Sequence, residues 1–358
     1  MKARINSVEI NKETNGVYIV LEAGPTHHGL DSAKKLVKAA KDACANAVKF
    51  QFLSADRLMA DKTVMFEYTY LERDKEGNER FVSTRERLYD ILKRRELSRD
   101  EWKDLKRYCD KTGIPLFLTA TYNDEVDILV DELGLDSVKI NSSDITEIGF
   151  IKYCASKGIN IQLDTGNADI WEIERAVIAA EQEGCKNIII HHCPSGYPAR
   201  LQSIHLNMIK TLKTMFPNYS IAFSDHSPGW EMDVAAVALG ADMIEKTITL
   251  DRTTKSCEHS FSLEPEEAKR FVESIRELEV ALGSARRIIP HEIMEKRKST
   301  RRSPYALKDM DAGYIITGTD FECKRPGYGI TSEEFRFFVG KKLIKGIKKG
   351  KALTYDYV

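Results

Sequence analysis

Eight short apolar segments, each ending in polar residues and leading toward an amphipathic stretch, constrain this chain more than any other feature. They are VYIVLEAG (17–24), AVKFQFL (47–53), LFLTA (116–120), SVKINSS (137–143), NIQLDTG (160–166), NIIIHHC (187–193), SIAFSDHS (220–227) and MIEKTITLD (243–251). Their near-continuous apolar character is that of parallel strands covered on both faces. Parallel neighbours need crossover connections, and stretches with a 3.6-residue period lie between the segments. Eight such units predict an α/β fold, a (β/α)8 barrel whose chemistry gathers at the C-terminal ends of its strands. Glu22, Lys49, Gln51, Lys139, Ser142, His192, Ser224, Asp225 and His226 fall at those ends.

The helical stretches carry their own start and stop signals. LSRDEWKDLKRYCDKTG (97–113) has Ser98 in position to cap and Gly113 to stop it. Most of the other stretches also close on glycine, which suits a left-handed terminal residue. Residues 54–95 form a long connection after the second strand, with Phe66, Tyr68, Tyr70 and Tyr89 among many charges. At the catalytic face of a barrel this reads as a lid or binding loop with partial helix. Beyond Gly283 the chain turns basic and polar, then resumes with short β-like pieces, turns at Asp311–Gly313 and Lys348–Gly350, and a short helix near TSEEFRFFVG. The expected organisation is a catalytic barrel over 1–285, a linker over 286–300 and a small β-rich domain over 301–358. A unit that small has a thin core, so it is expected to lean on the barrel or on a second subunit.

Composition narrows the function classes. The 358 residues are 42% hydrophobic, enough for a large core, and 30% charged with a net charge of −1. A surface of mixed sign argues against nucleic acid or membrane as the main partner. No apolar run approaches the ~20 residues of a membrane span, and the first residues lack a signal-peptide core. The seven cysteines are odd in number and lack C-x-x-C spacing, so a reducing, cytoplasmic setting is expected.

The strand-end motifs EAGPTHHG, VKFQ, VKINSSD, HHCPSGYPA, FSDHSPG and FSLEP, followed by KRPGYG, resemble together the sialic acid synthase family, which includes the N-acetylneuraminate, legionaminate and pseudaminate synthases and spore-coat relatives. The likeness runs from about Glu22 to Val358, and the C-terminal unit resembles the family's antifreeze-like (SAF) domain. The resemblance implies a transferase that condenses phosphoenolpyruvate (PEP) with the aldehyde of a hexosamine such as N-acetylmannosamine, giving a nonulosonic acid and phosphate. It implies that Lys49, Lys139, Ser142 and Ser224 bind PEP, with Asp164 facing the same ligand. Gln51, Tyr197, Glu258 and Arg325 would contact the sugar, and Glu22 and Asp144 would serve proton traffic. His226 would act in catalysis and ligate a divalent metal, manganese or magnesium. Arg325 would reach into the barrel of a partner, which implies a domain-swapped homodimer.

Four departures from the family pattern bear on the site. Thr247 stands in EKTIT where the second metal histidine belongs. Asp164 replaces a serine that would face PEP. Ala120-Thr121-Tyr122 replaces T-P-F, and Glu258 replaces an aspartate. A metal here would need completion by a carboxylate (Glu22, Asp225 or Asp164) or an added histidine (His28 or His191), or be held mainly by water; hard divalent ions favour the carboxylate- and water-rich set. His192 divides evenly between site and core, and His191 and His28 read first as packing histidines. Two rival functions remain: a PEP-dependent synthase of another sugar acid, and a non-catalytic barrel that binds sugar or PEP.

Overall fold

Eight parallel strands close into a barrel: β1 (Tyr18–Glu22), β2 (Ala47–Gln51), β3 (Leu116–Thr119), β4 (Ser137–Ile140), β5 (Asn160–Asp164), β6 (Ile188–His192), β7 (Ser220–Asp225) and β8 (Met243–Thr247). All eight coincide with the apolar segments. The ring closes where β8 pairs with β1, Glu245 beside Val20 and Thr247 beside Glu22. The structure is a computed structural model and describes residues 2–358. It divides into two units, one ending at Gly283 and one spanning Ser284–Val358.

Side chains alternate across each strand, and this sorts them into two cores. Outward residues such as Ile19, Leu21, Val48, Phe50, Leu118, Ile161, Leu163, Phe223 and Ile244 pack against the surrounding helices. Inward residues at the lower end, Tyr18, Val20, Ala47, Phe117, Ile189, Ala222 and Met243, fill the barrel's interior, joined there by Ala3, Ile5 and Ile10 from the N-terminal segment. Above them the inward positions become polar: Glu22, Lys49, Lys139, Gln162, Asp164, His191, Ser224 and Glu245 are all buried.

The crossover helices are α1 (Leu30–Asp42), α2 (Arg99–Thr112), α3 (Asn123–Asp127), α4 (Ile148–Ser156), α5 (Ile170–Gln182), α6 (Met208–Met215), α7 (Glu231–Leu239) and α8 (Pro265–Leu282). The signals at α2 operate as expected. Ser98 and Glu101 form a reciprocal capping box, and Gly113 takes a left-handed conformation. α3 runs into a π-helical turn over Ile128–Glu132 rather than continuing as one regular helix.

The long connection contains the expected partial helix together with strands that were not expected. Its main element is a β-ribbon, Met65–Arg73 paired antiparallel with Glu79–Arg87, flanked by the short helices Ala55–Leu58 and Leu88–Lys93. Tyr68 anchors it in a small apolar cluster with Ile91 and Cys257. The basic stretch after Gly283 contains a helix over His291–Thr300. In the second unit, Ser303–Ala306 pairs antiparallel with Phe321–Lys324. Met310, Ile316, Phe338, Leu343 and Leu353 form its own core. Its turns include Gly313 and Gly350 at positive φ, and Glu334–Phe337 forms a 3-10 turn. Among the described residues, no helix is long and apolar enough to cross a membrane.

Candidate active site

A buried polar cluster occupies the upper interior of the barrel. Lys49, from β2, binds Glu22 of β1 and lies 3.0 Å from Glu245 Oε1 of β8. Lys139, from β4, reaches the same oxygen at 2.9 Å and also lies 3.1 Å from both Ser224 Oγ and Asp164 Oδ2. Ser224 in turn donates to Glu245 Oε1 at 3.1 Å. One carboxylate oxygen of β8 therefore gathers two ammonium groups and a hydroxyl from three other strands. Its sister, Glu245 Oε2, is buried with no partner among the described residues.

These neighbours set the protonation states. Burial would raise the Glu245 carboxyl, but Lys139 and Lys49 outweigh it and hold the group well below its usual range. At Asp164 the burial effect is likewise overcome, chiefly by Lys139. Burial opposes charge on the two lysines, yet the carboxylates around them raise both. Glu22 goes the other way. Burial, which Lys49 offsets only in part, and the nearby charge of Glu245 push it up to about 7. Two adjacent carboxyls with opposite shifts are the arrangement in which one stays ionised while the other can carry a proton near neutrality.

Beneath the cluster, His191 Nε2 lies 2.9 Å from Gln162 Oε1, while the Gln162 amide donates to Ser137 Oγ at 2.8 Å. His191 Nε2 is thus the protonated nitrogen. Burial and then Lys139 lower this histidine to about 3, so it is neutral and part of the barrel's packing. His192 points outward and bonds the Ile204 carbonyl at 2.5 Å, a structural role. Asp225 also points outward, bonding Lys246 and Ser227, which removes it from the mouth.

Two glycines fix the rim. A Cβ on Gly24 would lie 2.5 Å from Glu22 Oε1 and 2.7 Å from the Gln51 backbone nitrogen, so Glu22 and Gln51 close on each other only because residue 24 has no side chain. A Cβ on Gly166 would lie 2.9 Å from the Cys193 carbonyl, 3.3 Å from Ser195 Oγ and 3.4 Å from Ser142 Oγ. Ser142 thus sits over the end of β5, close to the cluster's outer edge. Also on the rim, next to Cys193, His226 packs between Tyr197, with ring centroids 4.6 Å apart, and Phe261 at 6.2 Å. The half-exposed Tyr197 faces a cleft of about 510 Å³ walled on its other side by Glu67, Tyr68, Thr69 and Ser83 of the ribbon.

The remaining expected residues lie apart. Asp144 faces a cleft with Arg57, Tyr122 and Asn123, whose lining contains none of the lysine cluster. Burial and then Glu147 raise its carboxyl. Glu258 is held by the buried Arg95, 3.3 Å away, and Arg95 also contacts Cys257 Sγ at 3.1 Å. Arg325 is exposed in the second unit.

The donor set does not compose a metal centre. Among the described residues no group of three or more His, Cys, Asp and Glu side chains could hold an ion. His226 Nδ1 faces the Pro194 carbonyl at 3.4 Å and Cys193 Sγ at 4.0 Å. Thr247 brings only a hydroxyl to the other expected position. Glu22 and Asp164 are engaged by lysines, and His28 stacks on His259 with centroids 5.4 Å apart.

Residues 36–287 match the NeuB family, and residues 301–358 match the SAF domain. The chain belongs to the NeuB family. It is 32% identical to N,N'-diacetyllegionaminic acid synthase of Legionella pneumophila, over 99% of this chain and 98% of that one. It is 30% identical to human N-acetylneuraminate-9-phosphate synthase, over 95% and 92% of the two chains. Among solved structures it resembles the N-acetylneuraminic acid synthetase of Leptospira borgpetersenii, with a TM-score of 0.67, 31% identity and coverage of 79% of this chain and 92% of that one.

The sequence reading did not assign Glu245 or Arg95. Glu245 was detectable: in a barrel strand where Thr247 faces inward, Glu245 must do so too, with Lys246 outward. Arg95 carries no comparable signal, because its burial depends on how the long insertion folds back.

Proposed function

We propose that this protein condenses PEP with an amino-sugar aldehyde to give a nonulosonic acid and inorganic phosphate. The observation that carries this reading is the pair of buried ammonium groups, Lys49 and Lys139, held at one level of the barrel beside a carboxyl, Glu22, that titrates near neutrality. Fixed cations and hydroxyl donors are what a ligand bearing a carboxylate and a phosphate requires. In the proposed reaction the enol carbon of PEP attacks the aldehyde carbon, the carbonyl oxygen takes a proton, and water adds to the resulting cationic C2. Phosphate then departs with cleavage of its C–O bond. Glu22 is suited to hold or release the protons these steps need. Lys49 and Lys139 hold the donor, with Ser224 bonded to Lys139 and Ser142 at the edge. The aldehyde enters from the Tyr197 side, where the ribbon and the Ser195–Ala199 loop form the cleft.

We propose further that the enzyme is a cytoplasmic homodimer, with Arg325 of each chain completing the acyl-sugar contacts of the other barrel. The exposure of Arg325 and seven free cysteines support this reading. The reaction is tested by incubating the purified protein with PEP and a panel of aldoses, following phosphate release and 2-keto acid together. Turnover with N-acetylated hexosamines supports the proposal. Turnover only with pentose or tetrose phosphates assigns a different sugar acid, and PEP binding without turnover assigns a non-catalytic barrel.

A further inference from the structure

Protein partners already surround the Lys139 ammonium where the donor would bind. An ammonium group has three N–H bonds to offer. Lys139 donates to Glu245 Oε1 at 2.9 Å and Ser224 Oγ at 3.1 Å, and it forms an ion pair with Asp164 Oδ2 at 3.1 Å. Charge is also saturated, since three carboxyl groups, Glu22, Asp164 and Glu245, face two ammonium groups. An anionic ligand that uses Lys139 must therefore displace one of its present partners.

The three partners are not equally displaceable. Glu245 Oε1 is shared by Lys139, Lys49 and Ser224, and its side chain is 3% exposed. Ser224 is tied into the same oxygen. Asp164 is held by its ion pair with Lys139, by the Thr165 backbone N–H at 3.2 Å and by the Cys193 thiol, and its side chain is 11% exposed at the outer edge of the cluster. Its other neighbours are Glu245, which repels it, and the neutral His191. The Cys193 thiol beside it is kept protonated by burial and then by Asp164 itself.

We infer that Asp164 is an internal counter-ion occupying the donor's anion position on Lys139, and that it sets donor affinity by competing with the incoming carboxylate or phosphate. This rests on the proposal that PEP is the donor. It makes Asp164 a specificity-determining residue, which stabilises the free protein and weakens its hold on anions. The group that leaves Lys139 when PEP arrives is Asp164, while Glu245 keeps the two lysines together.

Replacing a like charge beside a bound anion by a neutral isostere strengthens binding in proportion to the repulsion removed, and at a few ångströms within a protein that repulsion is large. Asp164→Asn is therefore expected to tighten PEP binding at least about tenfold by titration calorimetry, while lowering the melting temperature of the ligand-free protein. Asp164→Glu, which keeps the charge, is expected to retain the weak affinity. A structural role alone predicts the lower melting temperature but not the tighter binding. Unchanged or weaker PEP binding by folded Asp164→Asn overturns the inference. Should that variant not fold, crystals of the unaltered protein soaked in PEP decide the matter: the Lys139–Asp164 contact opens beyond 4 Å, or it persists and the inference is wrong. PEP binding to neither protein at any concentration instead removes the donor assignment, and the inference with it.

Discussion

Glu245 holds a position for which no substitute is at hand: without it, Lys49 keeps only Glu22, and Lys139 only Ser224 and Asp164. Removing one member of a buried ionic cluster leaves charge without a partner, at a cost of about 3–5 kcal/mol. Glu245→Ala is expected to lower unfolding stability in urea by that amount and to abolish turnover. Glu22 supplies a prediction of opposite sign. Its folded-state value, about 7 against an ordinary 4.5, favours the protonated form. Its contribution to stability is complete below about pH 4.5 and is lost as pH rises through about 7. Glu22→Gln should remove that decline, so the stability difference between variant and parent grows in the variant's favour across this window, as measured by denaturation at a series of pH values. Asp164 and Glu245, whose values are depressed, contribute in the reverse sense and lose stability as pH falls. Lys49 and Lys139 were legible from sequence because a lysine ending an apolar strand bears a large desolvation cost unless partnered. The partners were less legible. Asp225 was placed among the site acids although alternation from the inward Ser224 turns it outward to Lys246.

At the level of elements, the barrel followed from pattern because each strand and helix carries local signals that agree with the fold. The ribbon did not. Its inward aromatics, Phe66, Tyr68 and Tyr70, do alternate, and Asp74–Asn78 makes the turn with Gly77 at positive φ. The intervening charges, however, form cross-strand ion pairs such as Arg73–Glu79 and Arg80–Glu72, and charges so dense obscure a strand's period. Under the proposed function, the ribbon's position opposite Tyr197 puts it beside the acceptor rather than PEP. Tyr68→Ala removes its anchor beside Ile91 and Cys257. The expected result is a several-fold rise in acceptor KM with the PEP dissociation constant within about twofold of the parent. An equal loss of PEP affinity would show that the ribbon shapes the donor site too.

For the whole molecule, the proposed exchange of Arg325 between subunits has a direct test. Arg325→Ala and Lys139→Met should each be inactive or nearly so, and unfolding and refolding them together should restore activity through mixed dimers. Failure to restore it, in a mixture shown by light scattering to be dimeric, would place Arg325 outside the partner's site. The reaction itself is tested most directly with PEP carrying ¹⁸O in the bridging position, in the presence of an accepted amino sugar. Cleavage of the C–O bond delivers the label to inorganic phosphate and leaves the keto oxygen of the sugar acid to come from water. Label found in the phosphate is the predicted result; label retained in the keto acid would mean P–O cleavage and contradict the proposed chemistry.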